Sequence, residues 1–290
     1  MPAWFNRLSA WIGVWVGLAT MPSQRAHSRA YLRLVLGREP RLADVREHFA
    51  VFTRYLVLRL AIAGGHEPRV CFAPGHGEEL RAFLARGRAA LYGTVHAGNS
   101  DLIGFFLGQL GGHLHMIRKR VGNSEDTERL ARRYAGNVSY IWINDWKRLI
   151  LAMNDALRAG HSIGMQCDRP EYSSKLEAFR FLGAERLFPF TIYHLAIMHS
   201  LPVIFAYALP AEADGDLTEV SVRPIFWPDP EASREDKFAS ARQHFQEFLG
   251  DIEGQLRRRP YLWFNFTAMN PVAQAPAARS RSVRLRTSPA

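Results

Sequence analysis

Seven short runs of apolar residues, separated by stretches of helical periodicity, constrain the fold of this chain more than any other feature. Val70-Cys71-Phe72, Ala89 to Val95, His113 to Arg118, Val138 to Ile143, Ser162 to Cys167, Leu201 to Leu209 and Thr218 to Ile225 read as strands. Between them, Glu78 to Arg86, Leu102 to Leu107, Asp126 to Tyr134 and Trp146 to Arg158 carry helical patterns, the last closed by Gly160. Ser233 to Arg257 is a long amphipathic helix, and Tyr261 to Phe266 reads as a further core strand. Such alternation predicts an α/β fold: a single domain with a largely parallel central sheet flanked by helices. No internal repeat is visible.

The N-terminus differs in character. No charge occurs from Leu8 to Met21, but these 14 residues fall short of the roughly 20 that span a bilayer. Trp4, Trp11 and Trp15 share one helical face, and indoles favour the headgroup boundary, so a membrane-associated, interfacial helix is expected. Arg25, Arg29 and Arg33 follow as a basic flank suited to an anionic leaflet. A secretory signal peptide is the rival reading, and it lacks a clear small-x-small cleavage site. A core helix of a soluble protein is the other. Residues 1–24 are therefore read as the anchor and 25–270 as the main domain. Residues 271–290, rich in Pro, Ala, Ser and Arg, are read as a disordered basic tail. Deleting Met1 to Met21 is expected to leave the α/β core folded. Ala30 to Leu60 reads as one or two amphipathic helices ahead of a turn at Gly64-Gly65.

With 290 residues and 48% hydrophobic content, the chain can bury a sizeable core and is too polar for a multi-span membrane protein. Its formal charge of +10 suits phosphates, anionic headgroups or an acidic partner protein. Nucleic acid is not indicated, since zinc-finger spacing, RNP motif and basic heptads are all missing. The two cysteines, Cys71 and Cys167, give no disulfide framework.

Chemistry concentrates at strand ends. His96 and Asp101, separated by four residues, follow the second strand. On one continuous helix they would lie about 140° apart, so a meeting requires Gly98-Asn99 to turn the chain. Gln166-Cys167-Asp168-Arg169 closes the fifth strand in the same way. His113 and His115 share a strand face, but no third metal ligand has a matching spacing, and no metal or cofactor is expected. Cys167 is read as a packed thiol rather than a nucleophile. No Gly-x-Ser-x-Gly elbow is present, and Gly75-His76-Gly77 lacks the third glycine of a dinucleotide loop.

Taken in order, His96-x4-Asp101, Asp168-Arg169, Phe181-Leu182-Gly183-Ala184, Phe188-Pro189, Leu201-Pro202-Val203 and Tyr261-Leu262-Trp263 resemble the lysophospholipid acyltransferase superfamily. Its late lipid A (lauroyl/myristoyl) acyltransferase branch is the most similar. The resemblance runs from about Arg25 to Phe266 and implies a glycerolphosphate-acyltransferase-like fold. Two positions depart from that branch, which commonly has Glu at the place of Asp101 and Gln or His at that of Arg169.

The resemblance implies transfer of a fatty acyl chain from a thioester, on acyl carrier protein or coenzyme A, to a hydroxyl of a lipid A-like glycolipid or related lipid. The reaction would run at the cytoplasmic face of the bacterial inner membrane. His96 would be the general base and Asp101 the residue fixing its tautomer. Arg118 and Arg133 would bind acceptor phosphate, with Asp168 orienting Arg169 or a neighbouring arginine. Backbone N–H groups of the following helix, or an arginine, would meet the oxyanion. Phe105, Phe106 and the Phe181 and Phe188 regions would line the acyl groove. The alternatives are a different hydroxyl acceptor, such as a polyene or amino-acid lipid, and a non-catalytic basic membrane-binding module.

Overall fold

The computed structural model describes residues 3–109, 113–118, 125–134, 136–142, 146–170, 173 and 175–273. Helices α1 (Ala3–Thr20), α2 (Pro22–Leu36) and α3 (Leu42–Ala63) lead into β1 (Arg69–Phe72), α4 (Glu78–Leu84) and β2 (Leu91–Thr94). Next come α5 (Ile103–Gln109), β3 (Leu114–Arg118), α6 (Glu125–Arg133), β4 (Val138–Trp142), α7 (Trp146–Arg158) and β5 (Ser162–Gln166). The chain continues through β6 (Leu176–Phe181), β7 (Ala184–Pro189), α8 (Thr191–His199), β8 (Val203–Pro210), β9 (Leu217–Val222) and α9 (Arg234–Arg258).

Seven strands form the central sheet in the order β1-β9-β8-β2-β5-β3-β4. Every neighbouring pair is parallel except β8–β9, whose short connection allows only antiparallel pairing. Both faces are covered, which is why the strands read as continuous apolar runs rather than alternating ones. Strand β8 shows the division. Val203, Phe205, Tyr207 and Leu209 join the core under α7, α8 and α9, while Ile204, Ala206 and Ala208 join the core under α4, α5 and α6.

The sequence did not reveal the β6–β7 hairpin. Its two-residue turn, Leu182-Gly183, has positive φ at both positions (48° and 79°), the geometry that matches strand twist. Tyr261 to Phe266 is not a strand. Pro260–Leu262 is a 3₁₀ turn, after which Trp263 bridges to Ala97. The first tail residues are also ordered: Val272 bridges to Arg186, and Ala273 donates to the Glu185 carbonyl at 2.8 Å. The remaining tail, from 274 onward, lies outside the described residues.

Helix α1 is part of the packed structure. Val14 and Leu18 are buried, and a Cβ at Gly17 would stand 3.3 Å from the Phe49 ring. Removing Met1 to Met21 would therefore uncover part of the apolar face of α3. The outer face keeps Ile12, Trp15 and Val16 exposed, and α3 adds exposed Leu56, Val57 and Leu60. Trp4 and Trp11 have side chains outside the description. The basic flank is partly engaged internally: Arg25 donates to the Leu18 carbonyl, and Arg33 pairs with Glu39 at 2.7 Å. No helix among the described residues is long and apolar enough to cross a membrane.

Candidate active site

Strands β2 and β5 are adjacent and parallel, with Thr94 opposite Gln166. Two residues beyond each lie His96 and Asp168, so the register itself brings an imidazole to a carboxylate at the C-terminal edge of the sheet. His96 Nδ1 is 2.7 Å from Asp168 Oδ1, and the His96 backbone N–H donates to Oδ2 at 3.0 Å. Trp263 Nε1–H adds a third hydrogen bond to Oδ2 at 2.9 Å. Burial alone would raise the carboxyl pKa. The His96 charge and hydrogen bond, Arg169 and the Trp263 donor prevail and hold it down to about 2. An ionised carboxylate only accepts, which assigns the proton to His96 Nδ1 and leaves a lone pair on Nε2. Among the described residues, none is hydrogen-bonded to Nε2.

The loop after His96 is clamped from both sides. Gly98 N–H donates to the Leu262 carbonyl, Asn99 N–H to that of Ala208, and Phe264 N–H to that of His96 itself. Gly98 has φ +52°, and a Cβ there would approach the Ala208 carbonyl oxygen to 2.8 Å, so glycine is required. The N–H groups of Ala97, Gly98, Asn99, Ser100 and Leu102 all have backbone acceptors. These five amides are therefore taken up within the fold.

Several expectations about individual residues change. Asp101 lies in the 3₁₀ turn Ser100–Leu102, and its side chain is outside the description. The partner that the structure gives His96 Nδ1 is Asp168, 72 positions on. Asp168 orients the histidine rather than Arg169, whose guanidinium reaches the Phe264 carbonyl at 3.4 Å. Arg133 is turned to the end of α3, where it donates to the Ile62 and Gly65 carbonyls and pairs with Glu67. These contacts tie α6 to α3. Arg118 stands at the end of β3, stacked over Tyr140 with 5.7 Å to the ring centre.

Beneath α5 runs a mainly apolar pocket with about 440 Å³ of empty space, its open mouth included. Ile103, Leu107, Leu114, Met116 and Ile117 form much of its wall, and a Cβ at Gly104 or Gly164 would press on Met116 and Leu114 there. Phe181 and Phe188, expected to line it, are instead fully buried in the opposite core. Phe106 is absent from the lining, and the Phe105 side chain lies outside the description. Arg118, Thr94, Ser100 and Gln166 give the pocket its polar groups. Thr94 Oγ1 and Gln166 Nε2 are buried without a protein partner. Leaving such groups unpaired costs on the order of 1–3 kcal/mol each, which argues for a ligand polar group at this end.

Cys167 and Ser100 are both unavailable for covalent chemistry. Cys167 is buried, and burial with Asp168 alongside pushes its thiol far above the ordinary range. Ser100 Oγ accepts from the Ala208 N–H at 2.9 Å inside the core. The geometry supports a base that deprotonates a group brought by a ligand. The side-chain contacts of Trp263, Thr94 and Gln166 at this site were not read from the sequence. For Thr94 and Gln166 the usable signal was a polar residue two positions before each functional one, at the end of an otherwise apolar strand.

An α/β domain with a buried carboxylate–imidazole pair at adjacent strand ends is the class defined by this fold and site. No protein-family model and no curated protein matches the sequence. A solved structure similar to it is that of the 1-acyl-sn-glycerophosphate (LPA) acyltransferase PlsC from Thermotoga maritima. The two are 13% identical, with 85% of this chain and 95% of that one covered, at a TM-score of 0.37. So distant a likeness carries no weight for function, which rests on the site itself.

Proposed function

We propose that this protein is an O-acyltransferase that moves a fatty acyl chain from a thioester to the hydroxyl of a lipid acceptor at a membrane surface. The observation that carries this reading is the His96–Asp168 pair, with Nε2 as base, two residues beyond Thr94 and Gln166 in the lining of an apolar pocket, where Cys167 and Ser100 are both engaged in the core. In the reaction, His96 Nε2 takes the acceptor hydroxyl proton as oxygen bonds to the acyl carbon. The carbon–sulfur bond then breaks, and the imidazolium returns its proton to the leaving thiolate. The pocket under α5 takes the acyl chain. Gln166 Nε2, with Thr94 Oγ1, supplies a donor for the acyl carbonyl as negative charge develops there.

The resemblance of the His96, Asp168 and Leu201-Pro202-Val203 segments to lipid A acyltransferases supports a glycolipid acceptor. The net charge of +10 supports an acidic donor such as acyl carrier protein over coenzyme A. Arg118 is the phosphate-binding arginine in this reading. The test is to supply labelled acyl–acyl carrier protein or acyl-CoA with a lipid A precursor or a lysophospholipid. Labelled acyl-acceptor product is expected, and release of free fatty acid alone would make the protein a hydrolase and overturn the proposal.

Gln166→Leu separates ligand binding from folding. Removing an unpaired buried amide is expected to leave stability unchanged or raised by about 1 kcal/mol, while transfer falls by about tenfold or more. Denaturant midpoints and kcat/KM measured together check this. A loss of both would mean that Gln166 serves the fold.

Membrane contact is assigned to the outer faces of α1 and α3. Because Ile12 and Val16 are exposed, Ile12→Ser with Val16→Ser is expected to weaken flotation with anionic vesicles and leave the fold intact. Equal flotation of variant and wild type would move the contact elsewhere.

A further inference from the structure

Three imidazoles gather at the opposite end of the sheet from His96. His113 immediately precedes β3, His115 lies within it, and His161 immediately precedes β5. Because β3 and β5 pair in parallel with Leu114 opposite Ser162, the register sets His113 beside His161. The His113 and His161 rings stack with 4.4 Å between centres, and His115 and His161 with 5.1 Å. His115 Nε2 lies 2.9 Å from His161 Nδ1, and one ring nitrogen of each residue lies within 4.8 Å of the other two. All three residues are half-buried. Spacing along the chain offered no third ligand for His113 and His115; strand pairing supplies it from 46 positions beyond His115.

We propose that His113, His115 and His161 bind a divalent transition-metal ion of the zinc class, with water completing a four-coordinate site. Zinc–nitrogen bonds of about 2.0–2.1 Å in a tetrahedral shell place ligand nitrogens roughly 3.3 Å apart. Separations between 2.9 and 4.8 Å reach that arrangement through small ring rotations. Neutral imidazole suits zinc, and Ser139 Oγ, 3.0 Å from His113 Nε2, holds one ring from β4 as an outer-shell partner does. From His161 to Asp168 the extended chain spans roughly 20 Å, so the ion takes no part in acyl transfer. Its effect is mechanical. It fastens β5 to β3 and, through Ser139, steadies the edge strand β4.

The full-length, tag-free protein, stripped with chelator, is titrated with Zn²⁺ by calorimetry and with Co²⁺ by visible absorption. One equivalent is expected, with four-coordinate cobalt bands and a higher melting temperature with metal bound. His161→Gln should weaken Zn²⁺ binding more than about 100-fold and Ser139→Ala about tenfold. His199→Gln, on the exposed end of α8, should change neither. His113→Gln gives an independent ligand deletion should His161→Gln fold poorly, with circular dichroism monitoring each. Wild-type binding no tighter than that of both ligand variants, or cobalt bands unchanged in them, would overturn the proposal.

Discussion

Replacing His96 with alanine is expected to lower acyl transfer by about 10²–10⁴-fold, the usual contribution of a positioned general base. No other group among the described residues shares its position. Folding should survive, because the backbone N–H at position 96 still reaches Asp168, and the Trp263 indole keeps its own bond to that carboxylate. The variant leaves the carboxylate one donor short, at a cost of about 1–3 kcal/mol in stability. His96→Asn supplies an N–H near the former Nδ1 and should recover part of that stability without recovering turnover. The pair therefore separates two roles: both variants inactive, but only alanine clearly destabilised. Near wild-type turnover by His96→Ala would remove the base from the mechanism.

The strand–helix alternation was legible because a sheet covered on both faces demands continuous apolar strands, and β8 is apolar on both sides. The observed β5 and α7 lie where those patterns placed them. Hidden features were those decided by pairing rather than by local pattern. The Asp168 carboxylate meets His96 only because β2 and β5 are neighbours in register, an adjacency that chain order does not encode. Asp101, near in sequence, drew the role instead. The same blindness kept His161 from His113 and His115. Tyr261 to Phe266 read as a strand because it is a run of aromatic and apolar residues, yet the backbone at Leu262 and Phe264 clamps the His96 loop and Trp263 donates into the site. Helix α1 was read from composition as an anchor; one face of its C-terminal half is buried against α3, which composition cannot indicate.

Asp168→Asn should be the most damaging single change, because it strikes catalysis and folding through the same atoms. The native carboxylate accepts three bonds: from His96 Nδ1, the His96 backbone N–H and Trp263 Nε1. An asparagine can present its oxygen to the imidazole only by turning its NH₂ toward the other two donors. Turned the other way, its NH₂ faces Nδ1, which moves the imidazole proton to Nε2 and removes the base. Either orientation fails, so transfer is expected to fall by about 10²–10⁴-fold. A donor left facing a donor in the interior costs about 1–3 kcal/mol. The pH dependence gives a separate reading. The folded-state pKa of Asp168 is lowered from 3.8 to about 2, so its stabilisation is complete above the unfolded value and is lost as pH falls through the folded one. A shift of that size corresponds to about 2 kcal/mol, and acid unfolding between those two values should be shallower in the variant than in the wild type. Urea midpoints measured across this range, alongside single-turnover rates at neutral pH, test both halves. A variant as stable as wild type and still fully active would mean that Asp168 neither holds the histidine tautomer nor anchors the strand ends.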